Sequence, residues 1–168
     1  MRILGIDPGR ETTAWALVDG SGCYRGGGLT RTKCRTAHGA AMVHERERIM
    51  NLETVDHLYI EVPQFDGRMV KWGASAIVPC LDLCFIAGYL AGAWRQEGIE
   101  THAVTPREWK GSTPKAVHHR RLLLNFSETC QARIAADLNK YPKSLQHNLL
   151  DAVGLAHYGK TKRCQPHR

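Results

Sequence analysis

The stretch Ile3-Leu4-Gly5-Ile6-Asp7-Pro8-Gly9 constrains this chain more than any other. Ile3, Leu4 and Ile6 form the short apolar run of a strand covered on both faces. Pro8-Gly9 then ends the ladder, because proline has no N–H to donate and glycine permits a tight turn. Asp7 is thereby carried on the end of a buried strand. A carboxylate there is costly without a partner, and a bound cation is the common one. A strand-end Asp that accepts hydrogen bonds from the following turn is the equal alternative on this stretch alone.

The segments that follow repeat the theme. Thr12 to Val18 reads as a second strand, Asp19-Gly20-Ser21-Gly22 as a hairpin turn, and Cys23 to Leu29 as a third strand. Gly26-Gly27-Gly28 weakens that strand and predicts a bulge or a fraying edge. Thr30 to Ala37 is basic through Arg31, Lys33 and Arg35, and His38 to Met50 predicts a short charged helix. His57 to Val62 is a fourth strand whose Glu61 emerges just before Pro63, as Asp7 does before Pro8. The next loop interleaves Phe65 and Trp72 with Arg68 and Lys71, a pattern that suits stacking on bases and holding phosphates. The same aromatics could instead cap the core.

Ile77 to Glu97 predicts a helix apolar almost all round, with Gly88 and Gly92 leaving room for another backbone. Its length raises the question of a membrane span, but Pro79, Asp82 and the flanking strands favour a core helix. Glu100 to Val104 is a fifth strand. The run from Trp109 to Ser127 carries Lys110, Lys115, Arg120 and Arg121 without an acid, and Thr113-Pro114 marks a helix start, Thr as N-cap and Pro in first position. Phe126 to Leu138 predicts a helix, and a last one runs from about Ser144 to Tyr158, with a frayed basic tail from about residue 159. Asp151 lies on it. His147 and Asn148, one turn earlier at about 100° per residue, flank the acid on the same face.

At 168 residues the chain reads as one domain, 1–168, and a net charge of +7 points to a polyanion, nucleic acid first. Six cysteines without CxxC or metal-knuckle spacing read as free thiols of a reducing compartment. No signal-like run precedes the first strand, so the cytoplasm is expected, of a cell or of a phage-infected host.

Gly5-Ile6-Asp7-Pro8-Gly9 with Thr12-Thr13-Ala14-Trp15 resembles the opening motif of RuvC-type Holliday junction resolvases. Ile60-Glu61 resembles their second motif, and Asp151-Ala152-Val153-Gly154-Leu155-Ala156 their closing acidic helix. Lys110 and Lys115 are similar in position to two lysines that the family uses near the scissile phosphate. The resemblance spans residues 3 to about 158. It implies an α/β fold of the RNase H-like kind, a five-stranded mixed sheet with helices on both faces. It also implies metal-dependent hydrolysis of DNA at a four-way junction by a homodimer. Asp7 would bridge two Mg²⁺ ions, with Mn²⁺ able to substitute, and Glu61 and Asp151 would each hold one.

Two departures stand out. Many such resolvases have an Asp three residues before the last acid, where this chain has Asn148; some relatives have a His nearby, here His147. Phe65 is the nearest candidate for the aromatic that wedges into the junction. The expected DNA-binding set is Phe65, Arg68, Lys71, Arg31, Lys33, Arg35, Lys110, Lys115, Arg120 and Arg121. The dimer is expected through the helix at 77–97. Rival expectations are a less selective nuclease of the same fold, acting on flaps, forks or RNA–DNA hybrids, and a non-catalytic junction binder.

Overall fold

A computed structural model of the chain describes residues 1–31, 54–64 and 74–163. The charged helix predicted over 38–50 and the loop carrying Phe65, Arg68 and Lys71 lie outside the described residues, as do Lys33 and Arg35. Five strands form one sheet: β1 (Arg2–Asp7), β2 (Thr12–Asp19), β3 (Tyr24–Arg31), β4 (His57–Glu61) and β5 (Glu100–Val104). Their order is β3-β2-β1-β4-β5. β1 pairs antiparallel with β2, and β2 with β3, while β1–β4 and β4–β5 are parallel. The hairpins therefore come first and the crossovers later. The register of β2 against β3 slips between Leu17 and Val18, next to the glycine run.

Among the described residues the helices are α1 (Ala74–Gln96), α2 (Pro106–Lys110), α3 (Lys115–Leu123), α4 (Glu128–Leu138) and α5 (Lys143–Arg163). α5 runs on past the expected end at Tyr158. The helix start predicted at Thr113-Pro114 is displaced: Pro114 is itself the N-cap and α3 begins at Lys115. The Thr-Pro start occurs one motif earlier, where Thr105 caps α2 and Pro106 is its first residue. There Glu108 reaches back to the Thr105 backbone N–H at 2.6 Å and to its hydroxyl at 2.7 Å. With Thr113 as cap the third helical position would be Ala116, which has nothing to reach back with.

Strand alternation sorts the core onto two faces. Leu4, Ile6, Leu58 and Ile60 pack with Ile86, Ala87, Leu90 and Trp94 of α1. The opposite face of the sheet meets α5, through Ile3, Tyr59 and Leu155 and through Ala14, Ala16, Val153 and Ala156. Asp82, the acid inside the apolar helix α1, pairs with Arg10 at 3.1 Å. By length and composition α1 could cross a bilayer, but it is docked on the sheet along one side. Its other side exposes Val78, Leu81, Phe85 and Tyr89. Cys23, Cys80, Cys84 and Cys130 are free thiols.

Gly5 decides how closely α5 lies on β1. A Cβ built there would collide with the Ala152 carbonyl oxygen and lie 2.5 Å from the Ala156 nitrogen. The helix backbone thus rests directly on the central strand, within reach of the strand's last residue, Asp7.

Candidate metal centre at the ends of the central strands

β1 and β4 run parallel with Ile6 beside Ile60, so the next residues, Asp7 and Glu61, leave the sheet side by side. α5 brings Asp151 to the same place, and the charges of both Glu61 and Asp151 act on Asp7. Three acids more than 50 residues apart in sequence therefore converge, as their positions on the elements predict.

Each outer acid is held by basic or polar side chains. Glu61 Oε2 accepts from Trp109 Nε1 at 2.7 Å and from Lys110 Nζ at 3.3 Å. Asp151 is 3% exposed; its Oδ1 lies 2.8 Å from His119 Nε2 and its Oδ2 2.5 Å from Lys115 Nζ. Trp109 is wedged against Gly154 of α5 and meets the edge of His118 at 5.0 Å between ring centroids. The first turn of α3 supplies Lys115, and the next turn supplies His119.

Asp7 differs from both. Among the described residues its carboxylate makes no hydrogen bond and no ion pair. Burial pushes its proton affinity well above the ordinary carboxylate range, the charges of Glu61 and Asp151 push it further, and Lys115 and Lys110 oppose them only in part. Burial also pushes Asp151 up, but hydrogen bonds from His119 and Lys115 and the two lysine charges outweigh it, leaving Asp151 below its ordinary value. The site is thus a cluster of hard oxygen donors, short of positive charge at its centre. That is the donor set a divalent cation takes.

Of the residues singled out in the sequence, Asp7, Glu61, Asp151, Lys110 and Lys115 are brought together. Asn148 is half-buried and His147 exposed on α5; His147 is within electrostatic reach of Asp151, Lys115 and His119. The imidazole bonded to Asp151 is His119, which the sequence reading did not select. Its signal was present, since Lys115, His119 and Leu122 recur at helical spacing and end in a core leucine. Arg120 and Arg121 are exposed on α3, and Arg31 ends the edge strand β3. A second cluster of donors, His57, Glu100 and His102, lies at the opposite end of β4 and β5.

No protein-family model and no curated sequence matches the chain. Solved structures do. T. thermophilus RuvC in complex with a Holliday junction substrate is 18% identical, with a TM-score of 0.58 over 97% of this chain and 96% of that one. The Fowlpox virus resolvase, solved with Holliday junction DNA, is 13% identical, with a TM-score of 0.61 over 98% of this chain and 100% of its own. The yeast mitochondrial Holliday junction resolvase Ydc2 is 10% identical, with a TM-score of 0.59 over 96% and 82%. The chain therefore has the fold of these resolvases, the RNase H-like arrangement of a five-stranded mixed sheet between helices.

Proposed function

We propose that this chain is a metal-dependent endonuclease that resolves four-way DNA junctions by paired nicks, working as a homodimer. The observation that carries the reading is Asp7: a carboxylate that has no hydrogen bond or ion pair among the described residues, set between Glu61 and Asp151 with two lysines alongside, in a fold shared with junction resolvases. Asp7, Glu61 and Asp151 would hold two Mg²⁺ ions, for which Mn²⁺ would substitute; His147 or Asn148 would complete the set. Ions held by these residues would supply an activated water and charge to stabilise the leaving oxygen of a phosphodiester.

The chain's own residues do the rest. Trp109 fixes the rotamer of Glu61 through its indole N–H, and His119 does the same for Asp151. Lys110 and Lys115 each sit on an outer carboxylate oxygen, where they can turn to a scissile phosphate and offset its growing charge. Arg120 and Arg121, exposed on the same helix as Lys115, extend that positive surface along the DNA. A reducing compartment such as the cytoplasm goes with this reading, given six cysteines without CxxC spacing.

The test is to incubate the protein with a four-way junction, a flap and a linear duplex, each with and without Mg²⁺. Paired symmetric nicks confined to the junction and to Mg²⁺ are the expected result. Equal cutting of the flap and duplex would replace this reading with a less selective nuclease. Binding without cutting under any divalent ion would leave a junction-binding protein.

His119→Ala should weaken Mg²⁺ binding by about 10–100-fold, the usual cost of losing the group that orients a ligand. Calorimetric titration reads this directly, and an unchanged affinity would show that His119 merely fills space.

Two nicks on opposed strands need two sites related by a two-fold axis. Val78, Leu81, Phe85 and Tyr89 recur at helical spacing along the outer side of α1, and Phe85 is 76% exposed. Space beside Gly88 and Gly92 is open to 4 Å, so a partner backbone can come close. Phe85→Asp should give a folded monomer in sedimentation that nicks one strand at a time. A dimer that persists through this change would move the interface elsewhere.

A further inference from the structure

We infer that His57, Glu100 and His102 form a second metal site, for a Zn²⁺-class transition ion, at the end of the sheet away from the three acids. The register creates it. His57 pairs with Glu100 across β4 and β5, and Tyr59 pairs with His102 two residues on, so all four side chains share the face that α5 covers. One donor atom from each of the three ligands lies within 4.8 Å of the others.

The distances suit a coordination polyhedron, with each imidazole facing a different oxygen of Glu100. His57 Nδ1 is 3.2 Å from Glu100 Oε2, and His102 Nε2 is 3.2 Å from Glu100 Oε1. For ligand bonds of ~2.0–2.1 Å, neighbouring donors of a tetrahedral Zn²⁺ stand about 3.3 Å apart. His57 Nδ1 is buried yet has no hydrogen-bond partner among the described residues, so it is not aligned to donate to the carboxylate beside it. The rings are also held in place: His102 stacks on Tyr59 at 4.5 Å between centroids, and Tyr59 meets the edge of Tyr158 at 6.0 Å.

A cation already occupies part of this position. Arg163 Nη2, at the last turn of α5, contacts Glu100 Oε1 and lies 2.6 Å from His102 Nε2. Donation to that nitrogen requires a lone pair on it, so two lone pairs meet at one positive group. A metal ion and the guanidinium would compete for the same electrons. Binding an ion would tie the edge strand β5 to β4 and release Arg163 with the basic end of α5. Two imidazoles and one carboxylate select a Zn²⁺-class ion over Mg²⁺, whereas the three acids at the far end favour the hard ion. The two sites are therefore separable by choice of metal.

The experiment is equilibrium dialysis of the full chain against Zn²⁺ in a large excess of Mg²⁺, with Co²⁺ absorption as a report on geometry. One Zn²⁺ per chain is expected, with intense visible Co²⁺ bands of four-coordinate type. His57→Ala and His102→Ala should each weaken binding by ~10²-fold or more, and Arg163→Gln should tighten it. Should an alanine variant fail to fold, Glu100→Gln on the exposed edge supplies the same test. Zn²⁺ binding that survives these changes, or fails in the folded wild type, would overturn the site. Neither result bears on junction cleavage, which is read at the other end of the sheet.

Discussion

Asp7→Asn is expected to abolish cleavage and at the same time to stabilise the metal-free protein at neutral pH. The loss of activity should reach about 10³-fold or more, equivalent to ~4 kcal/mol of barrier, because Asp7 is the acid shared between the other two. The gain in stability follows from its proton affinity. Burial, then the charges of Glu61 and Asp151, raise it in the folded state. The folded protein therefore holds this proton at pH values where the unfolded chain has lost it. Stability of the metal-free protein must then fall as pH rises from the ordinary carboxylate range through the raised value. The penalty grows until the pH has passed the raised value, and Asn removes it. Asp151 behaves in the opposite sense. Its lowered proton affinity contributes stability above the ordinary carboxylate range, lost as pH falls through the depressed value. Thermal melts of both proteins from acid to neutral pH, with and without Mg²⁺, check the argument. The curves should converge in acid and separate above it, and Mg²⁺ should raise Tm in the wild type alone. Each kcal/mol gained is worth about 2–4 °C in a chain of this size. A variant that melts with the pH dependence and Mg²⁺ response of the wild type would remove Asp7 from the metal centre.

The parts of this site that sequence displays are those set by local rules. Asp7 and Glu61 stand out because each ends an apolar strand with a proline one or two residues on, and the parallel pairing of β1 with β4 places them together. Asp151 is visible because its helix repeats small and apolar residues on either side of one acid. His119 shares a helix face with Lys115 in the sequence, but its bond to Asp151 and that of Trp109 to Glu61 were not legible, since the partners are 32 and 48 residues away and only the packed α2, α3 and α5 reveal the contacts. The same holds for His57, Glu100 and His102. Each looks like an ordinary strand residue until the β4–β5 register sets them side by side. The misplaced helix start at Thr113-Pro114 has a local cause: two Thr-Pro pairs look alike, and only the glutamate at Glu108 tells which one closes a cap.

Gly5→Ala is expected to be among the most destabilising single-methyl additions in this chain. The added carbon would run into the Ala152 carbonyl oxygen and lie 2.5 Å from the Ala156 nitrogen and 3.0 Å from Leu155 Cβ. None of these is the yielding end of a flexible side chain. Relief requires lifting α5 from β1, yet α5 buries Leu149, Ala152, Val153, Leu155 and Ala156 against the sheet. Overpacking against backbone should cost ~3 kcal/mol or more, at the upper end of the range for such insertions. The effect should reach function as well, because the contact that seats α5 also sets the distance from Asp151 to Asp7. Urea unfolding together with Mg²⁺ titration of the folded fraction measures both consequences. Gly26→Ala is the control: on the edge strand β3, a Cβ there meets nothing within 4 Å, so that change should be neutral or stabilise by up to ~0.4–1 kcal/mol. If Gly5→Ala matched Gly26→Ala in stability and in Mg²⁺ affinity, α5 would not rest on the central strand, and the meeting of the three acids would need another explanation.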